Sequence, residues 1–352
     1  MRWQHLTRLT CKALPLSIAF LFALHSQFAF AEEENYLKHP NSIEWKAGGF
    51  YEGIFEDGTP FQMNLPYPPP ISIRVHWVPA SVNATYWYPR RFTGAPISFE
   101  IKWISDNSFS ITVQNHDKKG ETVTDETFEG VASPDKTGVH GRWKSIKHKK
   151  NMSFSMKRAF VYKGIDVSLP CEEGIEVEPP CTFVFSASFP VIDNPKVDKW
   201  ITDLVSECGQ DMECRNSLEV AWFSKDLLSL RGWNWGFSHQ MAHGYGYSTY
   251  QHYDTTGSAP RPVKFDNFIK TSDTCLKKIS NSIISTLKKQ KYSGAEDGEI
   301  SDVDNVKFLP TPSGIQFNFD AYDIDTYLEE PPTVFIERRK LGNCIKYLPR
   351  YE

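Results

Sequence analysis

Alternating hydrophobic and polar residues dominate the first half of the chain. Every second residue is apolar in Ile97–Trp103 and again in Phe109–Val113, with the turn residues Asp106-Asn107 between them, so this region predicts a β-hairpin. Further short strands, bounded by Gly, Pro, Asp or Asn, are predicted at 49–55, 62–65, 127–131 and 139–143. Because helical periodicity is lacking here, residues 45–158 are predicted to form a small all-β domain, a barrel or a sandwich.

The second half of the chain mixes strand and helix periods. A strand at 183–189 is followed by Asn194-Pro195, an N-cap and first-turn proline that predict a helix with one buried stripe. A second helix is predicted from Ser272, ending in lysines, and strands are expected at 315–319 and 333–336. We therefore expect an α+β domain over 160–350, with two main helices packed on an antiparallel sheet. The chain as a whole is assigned to the α+β class with two domains.

The N-terminus has the pattern of a secretory signal peptide. Residues 1–31 contain Arg2, Arg8 and Lys12, then an apolar run, and end in Ala29-Phe30-Ala31. Cleavage is expected near Ala31, which predicts a periplasmic or secreted protein with no transmembrane helix in the mature chain. The formal charge of the whole sequence is −4, and the leader carries only positive charges, so a nucleic acid is a poor candidate partner.

Six of the seven cysteines lie beyond residue 170, an even number that predicts disulfides in an exported protein. Short spacings favour Cys171 with Cys181 and Cys208 with Cys214, which leaves Cys275 for Cys344. The sequence does not fix this connectivity. A zinc site is the weaker alternative, because no CxxC pair occurs.

The stretch GFSHQMAHGYGYSTYQHYD at 236–254 raises the possibility of a metal site. His239 and His243 are four residues apart, but the glycines and alternating tyrosines favour a strand, and HQMAH lacks the glutamate of an HExxH protease. His252 is the remaining candidate for a third ligand. Structural histidines are the competing interpretation. No GxSxG elbow, phosphate loop or free cysteine nucleophile is present, so we expect neither a cofactor nor, on balance, an enzyme.

Charged and aromatic clusters suggest binding surfaces. The acidic runs 293–305 and 320–330 contain no basic residue and would attract a cationic partner, although solvated loops are the competing interpretation. The basic run 142–158 contains no acidic residue and could meet an anionic envelope polymer. The candidate ligand-binding residues are three tyrosines and three aspartates, namely Tyr245, Tyr247, Tyr250, Asp320, Asp323 and Asp325.

Three segments of the second half carry a family resemblance: Leu227–Leu230 leading into Ala242-His243-Gly244, Tyr253-Asp254 followed by 263–269, and 317–327. Over roughly residues 180–340, the chain resembles the extracellular domain of the lysozyme-responsive anti-sigma factor RsiV, a domain also found beside a secreted peptidoglycan deacetylase domain. The first half loosely resembles small β-domains of exported bacterial proteins.

The resemblance implies a partner as well as a fold. We expect an exported, non-enzymatic bacterial envelope protein that binds a protein ligand, possibly of lysozyme type, or a glycan such as peptidoglycan. The alternative is an envelope hydrolase or metalloprotein that uses His239, His243 and His252.

Overall fold

A computed structural model gives the fold. It describes residues 43–66, 83–87, 97–116, 122–146, 148–170, 182–192, 194–195, 199, 212–238, 244–257, 260–290, 292, 306–320, 323 and 332–350. The predicted leader and the cleavage position lie outside these residues.

Eight antiparallel strands make up the described part of the first half. They are β1 (Ile43–Phe55), β2 (Pro60–Pro66), β3 (Asn83–Trp87), β4 (Ile97–Trp103), β5 (Ser108–His116), β6 (Thr122–Ala132), β7 (Gly138–Ser145) and β8 (Lys150–Pro170). The predicted hairpin is confirmed as β4 and β5, whose pairing places Trp103 opposite Phe109. Each strand pairs with its neighbour in sequence, and β1 also pairs with β8.

Aromatic side chains fill the space enclosed by these strands. Phe55 stacks on Phe61 with ring centroids 4.3 Å apart, and Phe128, Trp143 and Phe154 surround the pair. All five are almost fully buried. Since alternate residues of a strand point to one side, this core explains the apolar periodicity of the first half.

The sheet continues beyond β8. The later strands are β9 (Thr182–Pro190), β10 (Met212–Phe223), β11 (Leu227–Ser238), β12 (Tyr245–Asp254) and β13 (Arg261–Val263). The C-terminal part of β8 pairs with β9, and β9 pairs in parallel with β10. Although β1 also pairs with β8, the sheet continues through β9–β13, so the first eight strands are not the separate barrel that one of the two predicted forms would require but part of a thirteen-stranded mixed sheet among the described residues.

A small second sheet and the helices lie near the C-terminus. The strands are β14 (Lys307–Thr311), β15 (Gly314–Asn318) and β16 (Thr333–Glu337), and the helices are α1 (Phe265–Phe268), α2 (Asp273–Lys289) and α3 (Arg338–Leu341). The predicted helix from Ser272 is confirmed as α2, whose Ile279, Ile283 and Leu287 are buried against the small sheet.

The predicted fold class needs correction, because the structure is mainly β rather than clearly α+β. Strands prevail throughout the described residues, and α2 is the one long helix among them. The other predicted main helix, after Asn194-Pro195, falls mostly outside the described residues. Sequence periodicity detected α2 correctly. It overstated the share of helix because it did not predict several of the strands in the second half.

Two buried amides of β2 bind the backbone of β10. The Gln62 Nε2 atom donates to the Phe223 carbonyl oxygen at 2.5 Å, and the Asn64 Nδ2 atom donates to the Val220 carbonyl oxygen at 2.8 Å. Tyr162 of β8 donates its hydroxyl hydrogen to Asn64 and accepts from the Val220 N–H at 2.8 Å. These main-chain groups of β10 lie at or next to its bulge between Val220 and Trp222. The two halves are thus joined by buried hydrogen bonds.

The domain boundary predicted near residue 160 falls inside β8, which runs without a break from Lys150 to Pro170. The strand belongs to both halves, because it pairs with β7 and β1 and then with β9. The division at this residue stays a prediction.

Candidate functional site: an aromatic face of the large sheet

Three aromatic residues alternate along β11. Trp233, Trp235 and Phe237 are separated by two residues each, so their side chains project from the same side of the sheet. All three are half-buried. The rings of Trp235 and Phe237 are nearly parallel, with an interplanar angle of 15° and centroids 6.3 Å apart. Together with Arg215 of β10, these residues are called the aromatic face.

Two glycines beside β11 leave space for the tryptophan rings. A Cβ atom at Gly244 would lie 2.5 Å from Cζ2 of Trp235, and one at Gly246 would lie 3.3 Å from Cζ2 of Trp233. Any side chain at Gly244 would therefore displace the Trp235 ring. The GYG sequence at 244–246 lets the two indoles lie against the sheet instead of standing away from it.

Arg215 adds a cation to the aromatic face. It pairs with Trp235 across β10 and β11, and its guanidinium carbon lies 5.3 Å from the centroid of the Trp235 ring. A cation at this distance over an indole is attracted by the ring quadrupole. The face thus combines apolar ring surface with a charged hydrogen-bond donor.

One end of the face is bounded by a row of polar side chains across three strands. Glu219, Arg231 and Tyr250 stand side by side on β10, β11 and β12, and Arg231 Nη1 lies 3.2 Å from Glu219 Oε1. Burial raises the pKa of Tyr250 to about 12, although the charge of Arg231 opposes this rise. Tyr250 therefore keeps its hydroxyl proton at neutral pH and is a neutral hydrogen-bonding group.

Asp320 connects the small sheet to β12. Its Oδ1 atom accepts from the Ser248 N–H at 2.9 Å, and its other carboxylate oxygen forms an ion pair with Lys307. The Asp320 N–H donates in turn to Asp323 Oδ2 at 2.7 Å. Asp320 is a predicted ligand-binding residue, but its carboxylate is engaged within the fold. Of this pair, Asp323 is the more exposed carboxylate.

His252 is buried between two hydrogen-bond partners. Its Nε2 atom lies 3.1 Å from the Phe308 carbonyl oxygen, and its Nδ1 atom lies 2.9 Å from the Ser229 hydroxyl. Because a carbonyl can only accept, Nε2 carries the proton and Nδ1 accepts from Ser229. Burial lowers the pKa of His252 to about 3, against the opposing effect of the Phe308 hydrogen bond. Both ring nitrogens are occupied, which is the geometry of a structural histidine rather than of a metal ligand.

Two of the predicted tyrosines, Tyr247 and Tyr250, point to opposite sides of the sheet. Tyr250 belongs to the side of the aromatic face, whereas Tyr247 pairs with Asn234 on the other side and accepts from its Nδ2 atom at 2.7 Å. Tyr245 lies in β12 opposite Gly236. The structure therefore does not bring Tyr247 and Tyr250 together in one site.

Several predicted residues lie outside the described part of the chain. These are His239, His243, Asp325, Cys171, Cys181 and Cys208. Cys275 and Cys344 form the expected disulfide, with their Cα atoms 5.5 Å apart. Cys214 is also disulfide-bonded.

Two residues of the basic run at 142–158 stand opposite glutamates of neighbouring strands. Arg142 pairs in register with Glu129 of β6, and Lys157 pairs with Glu52 of β1. The run is therefore less uniformly basic in the sheet than in the sequence. It is a weaker candidate for an anionic polymer than the sequence suggests.

The described residues hold neither a cluster of metal-ligating side chains nor a helix suited to cross a membrane. No three His, Cys, Asp or Glu side chains among them are grouped as metal ligands would be. None of the described helices combines the length and the apolar character needed to cross a membrane.

Comparison with known proteins gives structural neighbours but no sequence match. No family model matches the sequence, and neither does any curated protein. A DUF3298 family member from Bacteroides fragilis is similar at 17% identity and a TM-score of 0.39, with coverage of 54% of this chain and 95% of that one. A DUF3298 family protein from Pseudomonas aeruginosa PAO1 is similar at 12% identity and a TM-score of 0.41, covering 55% and 98%. DUF3298 is also the domain family of the RsiV extracellular region.

Sequence reasoning missed the aromatic face. The sequence predictions for this region concern the histidine-rich stretch from residue 236 onward and do not include the preceding Trp233-Asn234-Trp235. The signal was present, because aromatic residues at every second position of a predicted strand share one side.

Proposed function

We propose that this chain is an exported, non-enzymatic envelope protein that binds a glycan at the aromatic face. The proposal is based on the nearly parallel rings of Trp235 and Phe237, whose planes differ by 15°, and on the space that Gly244 leaves for the Trp235 ring. One side of a sugar ring is made of C–H bonds and packs against the electron-rich face of an aromatic ring. Export is supported by the leader pattern of residues 1–31 and by the disulfides of the C-terminal half.

The polar groups around the face suit a hydroxyl-rich ligand. Arg215 offers guanidinium donors beside Trp235, and Glu219 lies on the same side of the sheet. Binding sites for small polar ligands combine apolar walls with a few oriented polar groups in this way. Glu219, the carboxylate at the boundary of the face, is paired with Arg231, and we therefore favour binding over hydrolysis.

The glycan proposal is tested by calorimetric titration of the mature protein with soluble peptidoglycan fragments and with oligosaccharides of N-acetylglucosamine. Trp235→Ala should weaken binding by about tenfold or more, because a central aromatic anchor is lost. The matched control is Trp103→Ala, which removes a half-buried tryptophan of β4 far along the chain. Circular dichroism must show that both variants fold. Equal binding by Trp235→Ala and wild type, or no binding by wild type, would reject the proposal.

A lysozyme-type protein is the second candidate ligand, and the RsiV resemblance supports it. Two acidic runs of the sequence suit a basic partner, although Asp320 in one of them is already paired with Lys307. A titration with lysozyme at low and moderate salt tests this candidate, since steering by charge weakens as salt increases. Asp323→Asn should reduce lysozyme binding and leave glycan binding unchanged. No detectable binding at low salt would remove the lysozyme candidate.

A further inference from the structure

A basic groove of about 360 Å³ runs between α2 and β16. Its walls carry three lysines, with amide and hydroxyl groups between them and no acidic residue among the lining side chains. The lining residues are Lys278, Asn281, Ser282, Ser285, Thr286, Lys289, Phe335, Ile336 and Lys340. None of these belongs to the aromatic face, so the groove is a separate surface.

The groove follows the backbone edge of β16. Consecutive strand residues point to opposite sides of a sheet, so a groove that contacts both Phe335 and Ile336 must lie along the main chain. Within the described small sheet, β16 pairs with β15 on one side and is an edge strand on the other. An edge strand has a row of main-chain donors and acceptors available for another strand.

Two hydrogen bonds identify which main-chain groups face the groove. The Phe319 N–H donates to the Pro332 carbonyl oxygen at 3.3 Å, and the Arg338 N–H donates to the Ser313 carbonyl oxygen at 2.7 Å. In an antiparallel pair, residues alternate between facing the partner strand and facing away. The even-numbered residues of β16 therefore face β15, and the main-chain groups of Thr333, Phe335 and Glu337 point to the free edge.

The charges of the groove select the kind of strand that fits. Lys278 and Lys289 stand at the two ends of one stripe of α2, about 16 Å apart at 1.5 Å per residue. The five residues of β16 span about the same length at 3.3 Å per residue. Lys340 lies beyond the C-terminal end of the strand, and the Glu337 carboxylate is already paired with Arg339. The charged side chains that line the groove beside the free edge are therefore all positive.

We propose that this groove binds an extended acidic peptide segment of a partner protein, which adds to β16 as a fourth strand of the small sheet. Main-chain hydrogen bonds with Thr333, Phe335 and Glu337 would supply the affinity. Ion pairs with Lys278, Lys289 and Lys340 would supply the selectivity for acidic side chains.

The proposal is tested with a fluorescent, end-capped peptide of about eight residues in which glutamate alternates with threonine or valine. Fluorescence anisotropy with the full mature chain should show saturable binding. The same peptide N-methylated at alternate residues keeps its charge but loses main-chain donors on the edge that pairs. It should bind at least about tenfold more weakly. Equal binding of the two peptides would overturn strand addition.

Substitutions at Phe335 separate the main chain from the side chain. Phe335→Pro removes the N–H that points to the free edge while leaving the bonds to β15, and proline is tolerated in edge strands. Phe335→Ala removes the ring but keeps the N–H. The peptide should bind Phe335→Ala within a few-fold of wild type, and binding by Phe335→Pro should be lost. If both variants bind equally, β16 is not the docking strand.

Charge reversal at two lysines of the groove is compared with the same charge change at two lysines elsewhere in the chain. Lys278→Glu with Lys289→Glu should reduce peptide binding at least about tenfold. Lys144→Glu with Lys149→Glu makes the same charge change on exposed positions of the β7–β8 hairpin and should have little effect. A sulfated polysaccharide that competes fully, and whose own binding survives Phe335→Pro, would reassign the groove to polyanions and overturn the peptide proposal.

Discussion

His252 is a titratable residue that the fold keeps uncharged. Its ring lies between Phe268 and Phe308, with centroids 5.8 and 4.6 Å away, and both nitrogens are hydrogen-bonded. A protonated imidazole would place a proton on Nδ1, where the Ser229 hydroxyl would have to reverse its hydrogen bond. The residue that the sequence offers as a metal ligand is thus a hydrogen-bonded part of the core.

Stability should depend on pH through His252. The ordinary pKa of 6.5 applies to the unfolded chain, whereas the folded protein holds the pKa near 3. The unfolded chain therefore binds the proton first as pH falls, so the stabilisation is complete above about pH 6.5 and declines below it. Between pH 7 and pH 5, His252→Gln should reduce the pH-dependent loss of unfolding free energy by about 2 kcal/mol relative to wild type.

Urea denaturation at the two pH values measures this difference. His140→Gln, at an exposed position of β7, is the matched control and should retain the wild-type change between pH 7 and pH 5. If His252→Gln shows the same pH dependence as wild type, His252 is not the buried neutral group described above.

Local sequence predicted the side of the sheet on which these residues lie, but not their surroundings. Alternation alone places Tyr250 and His252 on one side and Tyr247 on the other. The partners of His252, Ser229 and Phe308, are 23 and 56 residues away in sequence. A single sequence holds no signal for such distant contacts, so the histidine remained ambiguous between metal binding and the core.

At the scale of elements, the predictions that succeeded relied on strong local periodicity. The β4–β5 hairpin and helix α2 each combine an apolar pattern with a clear turn or capping signal. The parallel pairing of β9 with β10 has no such local signal, because residues 191–211 separate the two strands in sequence. The alternation of Trp233, Trp235 and Phe237 is local, but the positions of Arg215 and Gly246 beside them depend on the pairing of β10 and β12 with β11.

The Cys275–Cys344 disulfide fastens the C-terminal segment to α2. It joins the first turn of the helix to the turn after α3 and closes a loop with a sequence separation of 69. Cys275→Ser with Cys344→Ser should lower the free energy of unfolding by up to about 4 kcal/mol, because a long loop of the unfolded chain is released. Denaturant unfolding of the double variant measures this loss.

Replacement is a sharper test of this disulfide than reduction, because Cys214 is disulfide-bonded too and a reductant would break both. A double variant as stable as wild type would show that the α2 contacts alone hold the C-terminal segment in place.

At the scale of the molecule, the two halves are held together by buried polar groups. Asn64 bonds both Val220 and Tyr162, and Gln62 bonds Phe223, so β2 contacts β10 across about 160 residues of sequence. Such bonds are costly to break in isolation, because each leaves a buried group without a partner. The described halves should therefore unfold together.

Asn64→Leu tests this coupling. It should lower the free energy of unfolding by about 2–3 kcal/mol, because the Val220 carbonyl and the Tyr162 hydroxyl lose their buried partner. Calorimetry should show one transition for wild type. The matched control is Asn151→Leu, at an exposed position of β8, which should change stability by no more than about 0.5 kcal/mol. Two separate transitions in wild type would contradict the coupling.

The length of β8 has an evolutionary consequence. Its 21 residues set the alternation of inward and outward side chains for β7 and β1 at one end and for β9 at the other. Insertion or deletion of a single residue in this strand would invert that alternation from the insertion point onward and expose a core. Genetic exchange at the junction of the halves is therefore expected to be tolerated only where the recombined β8 keeps the residue count that sets both alternations.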